Sequence, residues 1–234
     1  MRRSGARRLR GQLLHVAANF QLISDNLLDL SHGQCLHPLF ANSAGLPATE
    51  PDTAHEPETV WARFVRNNQY PNQYFQMLGF PTEQRGDHRN YMRWNPPGVL
   101  LDVGMTRAGG PSSEEISIPA AYLLTPGTAT STHNCWGMGR NCRVEEIELS
   151  ATLLRVGMDV FQKEDNPFIE AQQRAMGDSA DLCAMKPALL QTDRAAGRAP
   201  QSCRLVSIAC RTRGQVSSRA CGLTLIIVCD HIAL

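Results

Sequence analysis

Three features by which broad protein classes are recognised are missing from this chain of 234 residues. Its 23 basic and 22 acidic residues nearly cancel, so the basic excess that favours general nucleic-acid binding is absent. The apolar run at residues 223–228 is far shorter than the roughly 20 residues that span a bilayer. No internal repeat is visible. We therefore expect a cytoplasmic globular protein that has neither a nucleic acid nor a membrane as partner.

The cysteines do not form a recognisable framework. The chain holds 8 of them, but it has no secretory apolar segment, and disulfide frameworks belong to short secreted chains. Zinc sites need cysteine pairs two to four residues apart, and the four cysteines of the tail are spaced more widely: Cys203, Cys210, Cys221 and Cys229. Residues 194–234, which contain these four cysteines, are predicted to be a disordered or frame-shifted tail.

Residues 1–15 form a basic N-terminal segment that lies outside the family resemblance described below. Five arginines and no acid stand in the first twelve positions, which fits either a basic targeting peptide or a start codon in a shifted reading frame. The central part, residues 16–193, has a length typical of one domain.

The most informative stretch lies at residues 25–37, where two histidines five apart follow two aspartates and an asparagine. Asp25, Asp29 and His32 are spaced at i, i+4 and i+7, which places them on one face of a helix. His37 would lie roughly 140° further around that helix, so the helix must loosen near Gly33. Two histidines and a carboxylate are the ligands of non-haem Fe(II) oxygenases. A surface helix end with two unrelated histidines fits the same spacing.

The pattern Asp-x3-Asp-x2-His-x4-His in this stretch resembles the mononuclear iron motif of Rieske non-haem iron oxygenases. Residues 18–32 are similar to the vanillate O-demethylase branch of that family. Further similar segments follow in order along the chain: residues 92–97, 124–126, 136–141, 161–165 and 170–173. The resemblance covers residues 16–193 and corresponds to the catalytic domain only.

The resemblance implies a mononuclear Fe(II) held by His32, His37 and Asp165, the last of which lies 128 residues beyond His37. It also implies two catalytic residues beside the iron. Asp29 would hydrogen-bond a ligating histidine and link the iron to the iron–sulfur centre of a neighbouring subunit, and Asn26 would lie near the iron without binding it firmly. Taken alone, Asp165 fits a solvated carboxylate at a helix start equally well.

The ligands of the family's [2Fe–2S] cluster are absent from this sequence. That cluster needs a Cys-x-His and a Cys-x2-His pair, but only Cys35 to His37 has the first spacing, and no Cys-x2-His occurs. We therefore expect no Rieske domain and no electron entry within this chain. The resemblance implies a reductase partner with a flavin and a ferredoxin-type cluster, and a homotrimer for the complete enzyme.

The predicted fold class is α+β. Short runs of Val, Leu, Tyr, Thr and Trp broken by Pro and Gly at residues 90–104 and 120–143 indicate antiparallel strands, and residues 145–178 have helical character. Residues 42–58 are predicted to be a surface loop. The resemblance implies a helix-grip catalytic domain of the START or Bet v1 type, in which a curved antiparallel sheet grips a long C-terminal helix around an apolar cavity.

The activity implied by the resemblance is that of a vanillate-demethylase-like monooxygenase. It would use O₂ to hydroxylate a methoxy or methyl group of an aromatic substrate, with release of formaldehyde from methoxy substrates. Four residues are candidates for substrate binding: Arg93, Trp94, His133 and Arg140. Arg93 could fork onto a substrate carboxylate while Trp94 lines an apolar wall, although strand neighbours usually point to opposite faces.

Two other functions fit the same residues. The chain could be an inactive catalytic-domain fragment, or a helix-grip domain that only binds an apolar ligand. Near Trp136 the family pattern is also altered, with Gly127 for an acid, Asn134 for an aromatic and Cys142 for Phe. These three changes predict a looser or more polar cavity wall.

Overall fold

The computed structural model describes residues 7–41, 52–56, 59–95 and 97–177. Its strands are β1 Arg7–Val16, β2 Asp52–Glu56, β3 Thr59–Gln69, β4 Gly86–Asn95, β5 Gly98–Arg107, β6 Ile116–Thr128 and β7 Ser131–Arg140. Its α-helices are α1 Phe20–Leu28, α2 Gly33–Leu36, α3 Gln73–Met77, α4 Ile147–Asp159 and α5 Asn166–Met176. A π-helical segment, Val160–Asp165, joins α4 to α5, and a 3₁₀ turn covers Ser112–Glu114. The predicted tail, residues 194–234, lies outside the described residues.

The strands form one antiparallel sheet in the order β1-β7-β6-β5-β4-β3-β2. Strands β2 to β7 follow one another as a meander. The first strand, β1, pairs with the last, β7, at the edge of the sheet opposite β2. The prediction of an α+β fold with an antiparallel sheet and a late helical run is confirmed. Residues 7–15, part of the basic N-terminal segment, form most of edge strand β1, and residues 52–56 form β2 rather than a loop.

One face of the sheet packs against the helices. Four residues lie side by side across β4 to β7 as consecutive strand partners: Trp94, Val99, Tyr122 and Trp136. Partners in register point to the same side of a sheet. The rings of Tyr122 and Trp136 lie 5.6 and 5.7 Å from that of Phe161 in the π-helical segment. We call this side the helix face and the opposite side the outer face.

The indole of Trp136 is enclosed by two glycines. A Cβ atom on Gly157 of α4 would come within 2.6 Å of Trp136 Cη2, and one on Gly11 of β1 within 2.7 Å of Trp136 Cδ2. Both distances are shorter than a carbon–carbon contact of about 3.5–4.0 Å. Helix α4 therefore packs closely on the sheet only because residue 157 has no side chain.

Helices α1 and α5 are joined at the start of α1. The side chain of Asn19 caps α1 by accepting from Gln21 N at 2.9 Å, while Asn19 N donates to Gln173 Oε1 at 2.8 Å. Ala17 N donates to Glu170 Oε1 at 3.0 Å. These bonds hold the early helix against the late one, so residues far apart in the sequence are brought together between them.

Helix α1 is shorter than the spacing of its acidic residues predicts. It ends at Leu28, and Asp29 is its C-cap. Asp29 Oδ1 accepts from Ser31 N at 3.0 Å and from Ser31 Oγ at 2.5 Å, a local turn that competes with helical hydrogen bonding. The prediction that His32 shares a helix face with Asp25 and Asp29 is therefore wrong, because His32 lies beyond the helix end, where it precedes α2.

Candidate metal centre

Two histidines lie at the two ends of the single-turn helix α2. His32 is its N-cap residue and His37 its C-cap residue. The short helix brings the two rings together, with their centroids 4.9 Å apart at an interplanar angle of 78°. The two Nε2 atoms are 3.1 Å apart. The sequence predicted that the helix would loosen between the two rings, near Gly33. The structure instead ends the helix before both histidines, at Asp29, and Gly33 begins the short helix α2.

Asp165, the last residue of the π-helical segment, completes the cluster. Its Oδ1 lies 3.6 Å from His32 Nε2 and 3.4 Å from His37 Nε2. One ligand atom from each of the three residues falls within 4.8 Å of the others. His37 and Asp165 are buried, with 4% and 5% of their surface exposed, whereas His32 is partly exposed. The three residues predicted as iron ligands are thus adjacent at the seam between α2 and the late helical run.

The far nitrogen of each ring is held by an oxygen. His32 Nδ1 contacts the backbone carbonyl of Asp29, and His37 Nδ1 lies 2.6 Å from Glu164 Oε2. A proton on Nδ1 satisfies both contacts and leaves each Nε2 lone pair directed into the cluster. The side-chain role predicted for Asp29 is not seen, because its carboxylate bonds Ser31 and only its backbone carbonyl reaches His32.

Asn26 lies beside the cluster, as its predicted role requires. Its Nδ2 donates to Asp165 Oδ1 at 3.1 Å. The bond comes from the last turn of α1 and crosses to the π-helical segment. Asn26 therefore holds the carboxylate from the side of the early helix.

The spacing of these donor atoms fits a metal ion. Two donors that share one ion at about 2.1 Å are about 3.0 Å apart at a right angle and about 3.4 Å apart at the tetrahedral angle. The observed separations of 3.1, 3.4 and 3.6 Å lie at or near this range. Two neutral imidazoles and one carboxylate suit a divalent first-row metal such as iron.

The electrostatics of the cluster favour a bound cation. Burial alone would lower the pKa of His37, but hydrogen bonds and charge from Asp165 and Glu164 outweigh it and raise the pKa. Negative charge therefore dominates at this position. A bound cation would satisfy that charge without a proton on His37.

The candidate substrate residues are divided between the two sides of the sheet. Trp94 is buried on the helix face, whereas its neighbour Arg93 points to the outer face, where its guanidinium lies 5.4 Å from the Trp61 ring. His133 also lies on the outer face, opposite His15 on β1, with ring centroids 5.3 Å apart. Arg93 and Trp94 therefore cannot line one pocket, and neither Arg93 nor His133 lies on the side of the metal centre.

Arg140 is buried and has a structural role. Its terminal nitrogens donate to the carbonyls of Cys142, Arg143 and Glu146, and to Ser150 Oγ at 2.9 Å. These acceptors lie in the loop before α4 and in its first turn, so the side chain ties the end of β7 to the start of that helix. Since all the terminal N–H groups are occupied, we do not retain Arg140 as a substrate residue.

Sequence reasoning missed two kinds of residue at this site. Glu164 was visible only as a neighbour of Asp165, and no pattern in the sequence marks the π-helical segment that turns it toward His37. Tyr122 and Phe161, whose rings are 5.6 Å apart, cover the sheet beside the cluster. The only signal in the sequence that could have located these two residues is that they lie in or next to the segments similar to the family, which follow in the same order along the chain.

The fold and cluster together define a class: an α+β domain in which an antiparallel sheet packs on a late helical run, with a His-His-Asp cluster between α2 and that run. Residues 16–204 match the family model of the vanillate O-demethylase oxygenase C-terminal domain. The chain belongs to this family.

Individual relatives agree with this assignment. The chain is 29% identical over 184 residues to the oxygenase component of chloroacetanilide N-alkylformylase from Rhizorhabdus wittichii, covering 78% of this chain and 53% of the relative. It is 31% identical over 174 residues to a vanillate O-demethylase oxygenase subunit from a Pseudomonas species, covering 70% of this chain and 49% of the relative. The chain thus spans about half the length of the curated relatives it matches.

A solved structure has the same fold. The crystal structure of dicamba monooxygenase bound to 3,6-dichlorosalicylic acid superimposes with a TM-score of 0.72 at 25% identity, covering 91% of this chain and 62% of that chain. Within the ranges that the structure describes, no helix is both long and apolar enough to cross a membrane.

Proposed function

We propose that this chain is the catalytic domain of a Rieske-type oxygenase component that binds one Fe(II) through His32, His37 and Asp165. The proposal rests on one observation. The donor atoms of these three residues, which come from the early and the late part of the domain, lie only 3.1 to 3.6 Å apart. The domain itself matches the oxygenase family model. Fe(II) held by these three residues would supply O₂ activation.

The reaction we propose is monooxygenation of an aromatic methyl ether or methyl group. One oxygen atom of O₂ is inserted into a C–H bond of the methyl group, and the other is reduced to water with two electrons and two protons. For a methoxy substrate, the resulting hemiacetal collapses to a phenol and formaldehyde. Relatives named for vanillate and dicamba O-demethylation motivate this substrate class.

The protein's contribution is orientation and exclusion of water. The contacts to Asp29 and Glu164 keep the proton of each ligating histidine on Nδ1, while Asn26 orients Asp165. Burial, followed by the nearby Tyr74 and Asp165, raises the pKa of Tyr122, so its hydroxyl keeps its proton at neutral pH. Tyr122 is therefore available only as a neutral hydrogen-bonding group.

The wall that would contact an aromatic substrate is the helix face near Phe161. The ring of Tyr122, which lies 5.6 Å from that of Phe161, provides aromatic surface there, which suits a flat aromatic ligand. Among the described residues, the buried Asn134 Oδ1 and Trp136 Nε1 have no hydrogen-bond partner. An acceptor and a donor two residues apart on this face suit a hydroxyl substituent of the substrate, which can both donate and accept.

The electrons are proposed to come from a Rieske [2Fe–2S] centre fed by a reductase with flavin and a ferredoxin-type cluster. The proposal rests on the family alone, and the homotrimer stays a prediction. Asp29, on the partly exposed side of the cluster next to His32, is the proposed point of contact with that centre. A test on this chain must therefore supply electrons chemically.

The proposal can be tested by metal loading and a reductant-driven turnover. The full chain is reconstituted anaerobically with Fe(II), reduced with dithionite, and exposed to O₂ with a methoxybenzoate. We expect one iron per chain, formaldehyde release, and loss of both in His32→Ala and Asp165→Ala. His133→Ala is the matched control, because this histidine lies on the outer face.

Two results would contradict the proposal. Iron binding without formaldehyde release under any reductant would favour an inactive domain. Binding of the methoxybenzoate that survives in a chain unable to hold iron, again without product, would favour an apolar ligand-binding domain.

A further inference from the structure

The carboxylate of Glu164 has a contact that none of the predicted roles includes. Its Oε2 lies 2.6 Å from His37 Nδ1, the ring nitrogen that faces away from the cluster. The imidazole of His37 is almost fully enclosed, with 5% of its side chain exposed, whereas that of Glu164 is 31% exposed. The hydrogen bond is therefore short, and the surrounding protein keeps solvent away from its histidine end.

The π-helical segment explains how two consecutive residues reach the same histidine. In an α-helix, neighbours in sequence are rotated by roughly 100°, so Glu164 and Asp165 would point in different directions. The wider π turn, with hydrogen bonds from residue i to i+5, rotates each residue by less. In the structure Glu164 meets Nδ1 of His37, and Asp165 lies 3.4 Å from Nε2 of the same ring.

The start of α5 is placed where it favours this wide turn. Pro167 is in the first turn of α5 and has no N–H to donate to the carbonyl one turn earlier. That carbonyl belongs to Lys163, inside the π-helical segment. The regular ladder is thus interrupted next to the two carboxylates, and π turns of this kind are frequent at functional sites.

We propose that Glu164 is a positioning residue for the metal centre, which fixes the orientation of the His37 ring and makes its Nε2 a stronger ligand. This inference rests on the proposed function, since it assumes that His37 binds iron. Carboxylate–histidine–metal triads have this effect, and loss of such an outer carboxylate typically costs 10–100-fold in metal affinity. Glu164 thereby does for His37 what was predicted of the Asp29 side chain.

The test compares iron binding by the full chain and its variants. Glu164→Ala removes both the charge and the acceptor, whereas Glu164→Gln keeps an acceptor oxygen for Nδ1–H. Glu148→Ala and Glu148→Gln are the matched controls, because Glu148 makes the same charge change on the exposed first turn of α4. Affinity is measured by competition with a chromophoric chelator, and ligand geometry by electron paramagnetic resonance of the Fe(II)–nitric oxide adduct.

We expect Glu164→Ala to weaken iron binding by about 10–100-fold and to broaden the resonance, as a freely rotating ring would. Glu164→Gln should recover most of the affinity while its spectrum still differs from that of the parent. Both Glu148 variants should match the parent. Circular dichroism of each apo variant checks the fold, and Glu164→Gln alone carries the comparison if Glu164→Ala does not fold.

The inference is overturned if the Glu164 variants that fold bind iron and give spectra as the parent does. This failure is distinct from failure of the proposed function. If His32→Ala and Asp165→Ala also keep the iron, the site itself is elsewhere and both conclusions are lost. If those two variants lose it while the folded Glu164 variants do not, only the role of Glu164 is refuted.

Discussion

Replacing Gly157 by alanine should destabilise the protein, although alanine is the better helix residue. Relative to glycine, alanine in a helix interior gains up to about 1 kcal/mol. Against this, the new Cβ would lie 2.6 Å from Trp136 Cη2, an overlap of roughly 1 Å on an ordinary carbon contact. Overpacking in a filled core costs about 1–3 kcal/mol.

The indole has no room to retreat. Trp136 is 2% exposed, and its opposite side lies so close to Gly11 that a Cβ there would be 2.7 Å from Cδ2. Helix α4 must therefore move away from the indole instead, by up to about 1 Å. The overpacking cost outweighs the helix gain, and we expect a net loss of about 1–2 kcal/mol in the free energy of unfolding.

Urea denaturation of four proteins tests this account: the parent, Gly157→Ala, Trp136→Phe and the double variant. In the Trp136→Phe background the ring tip is gone, so Gly157→Ala should become stabilising by up to about 1 kcal/mol. Ala151→Gly, at an exposed position of α4, calibrates the helix term. Additive effects, or a Gly157→Ala variant more stable than the parent, would show that α4 does not pack on the indole as described.

Three further outcomes follow from other contacts. Burial, with the charges of Arg66 and Arg89, lowers the pKa of His88 in the folded protein to about 4. As the pH falls, the unfolded chain therefore protonates His88 before the folded protein does. Stability should then fall by about 1.4 kcal/mol per pH unit as the pH drops from about 6.5 toward 4, and a urea titration of His88→Phe should lack this slope. Glu115 is buried and paired with Arg89, so Glu115→Gln should lower the free energy of unfolding by about 1–3 kcal/mol, as measured by urea denaturation. Chelation of iron should lower the melting temperature of the parent but not that of Asp165→Ala, and equal shifts in both would argue against the site.

The sequence was most informative where resemblance could connect distant segments. Spacing alone could not join Asp165 to His32 and His37, because no local periodicity extends over 128 residues. Ordered similarity along the chain supplied that link, and the structure brings the three side chains together. Their ligand role remains a proposal that the iron experiments decide.

Other features were hidden from the sequence for physical reasons. In β1, an irregularity between Arg10 and Leu13 shifts the pairing with β7, so the alternation that marks a strand is broken. The end of α1 depends on the turn that Asp29 forms with Ser31, a local contact that competes with helix spacing. The division of Arg93 and Trp94 between two faces, by contrast, follows from strand alternation alone.

The position of the three candidate ligands would make a bound metal ion a cross-link between the early and late parts of the domain. His37 precedes the whole meander from β2 to β7, and Asp165 follows it, so an ion held by both closes a loop of 128 residues. In the chain-entropy model, a covalent link across a loop of this order is worth about 5 kcal/mol. A chain without the ion would lack this cross-link between α2 and the π-helical segment and would therefore be more open to proteolysis there.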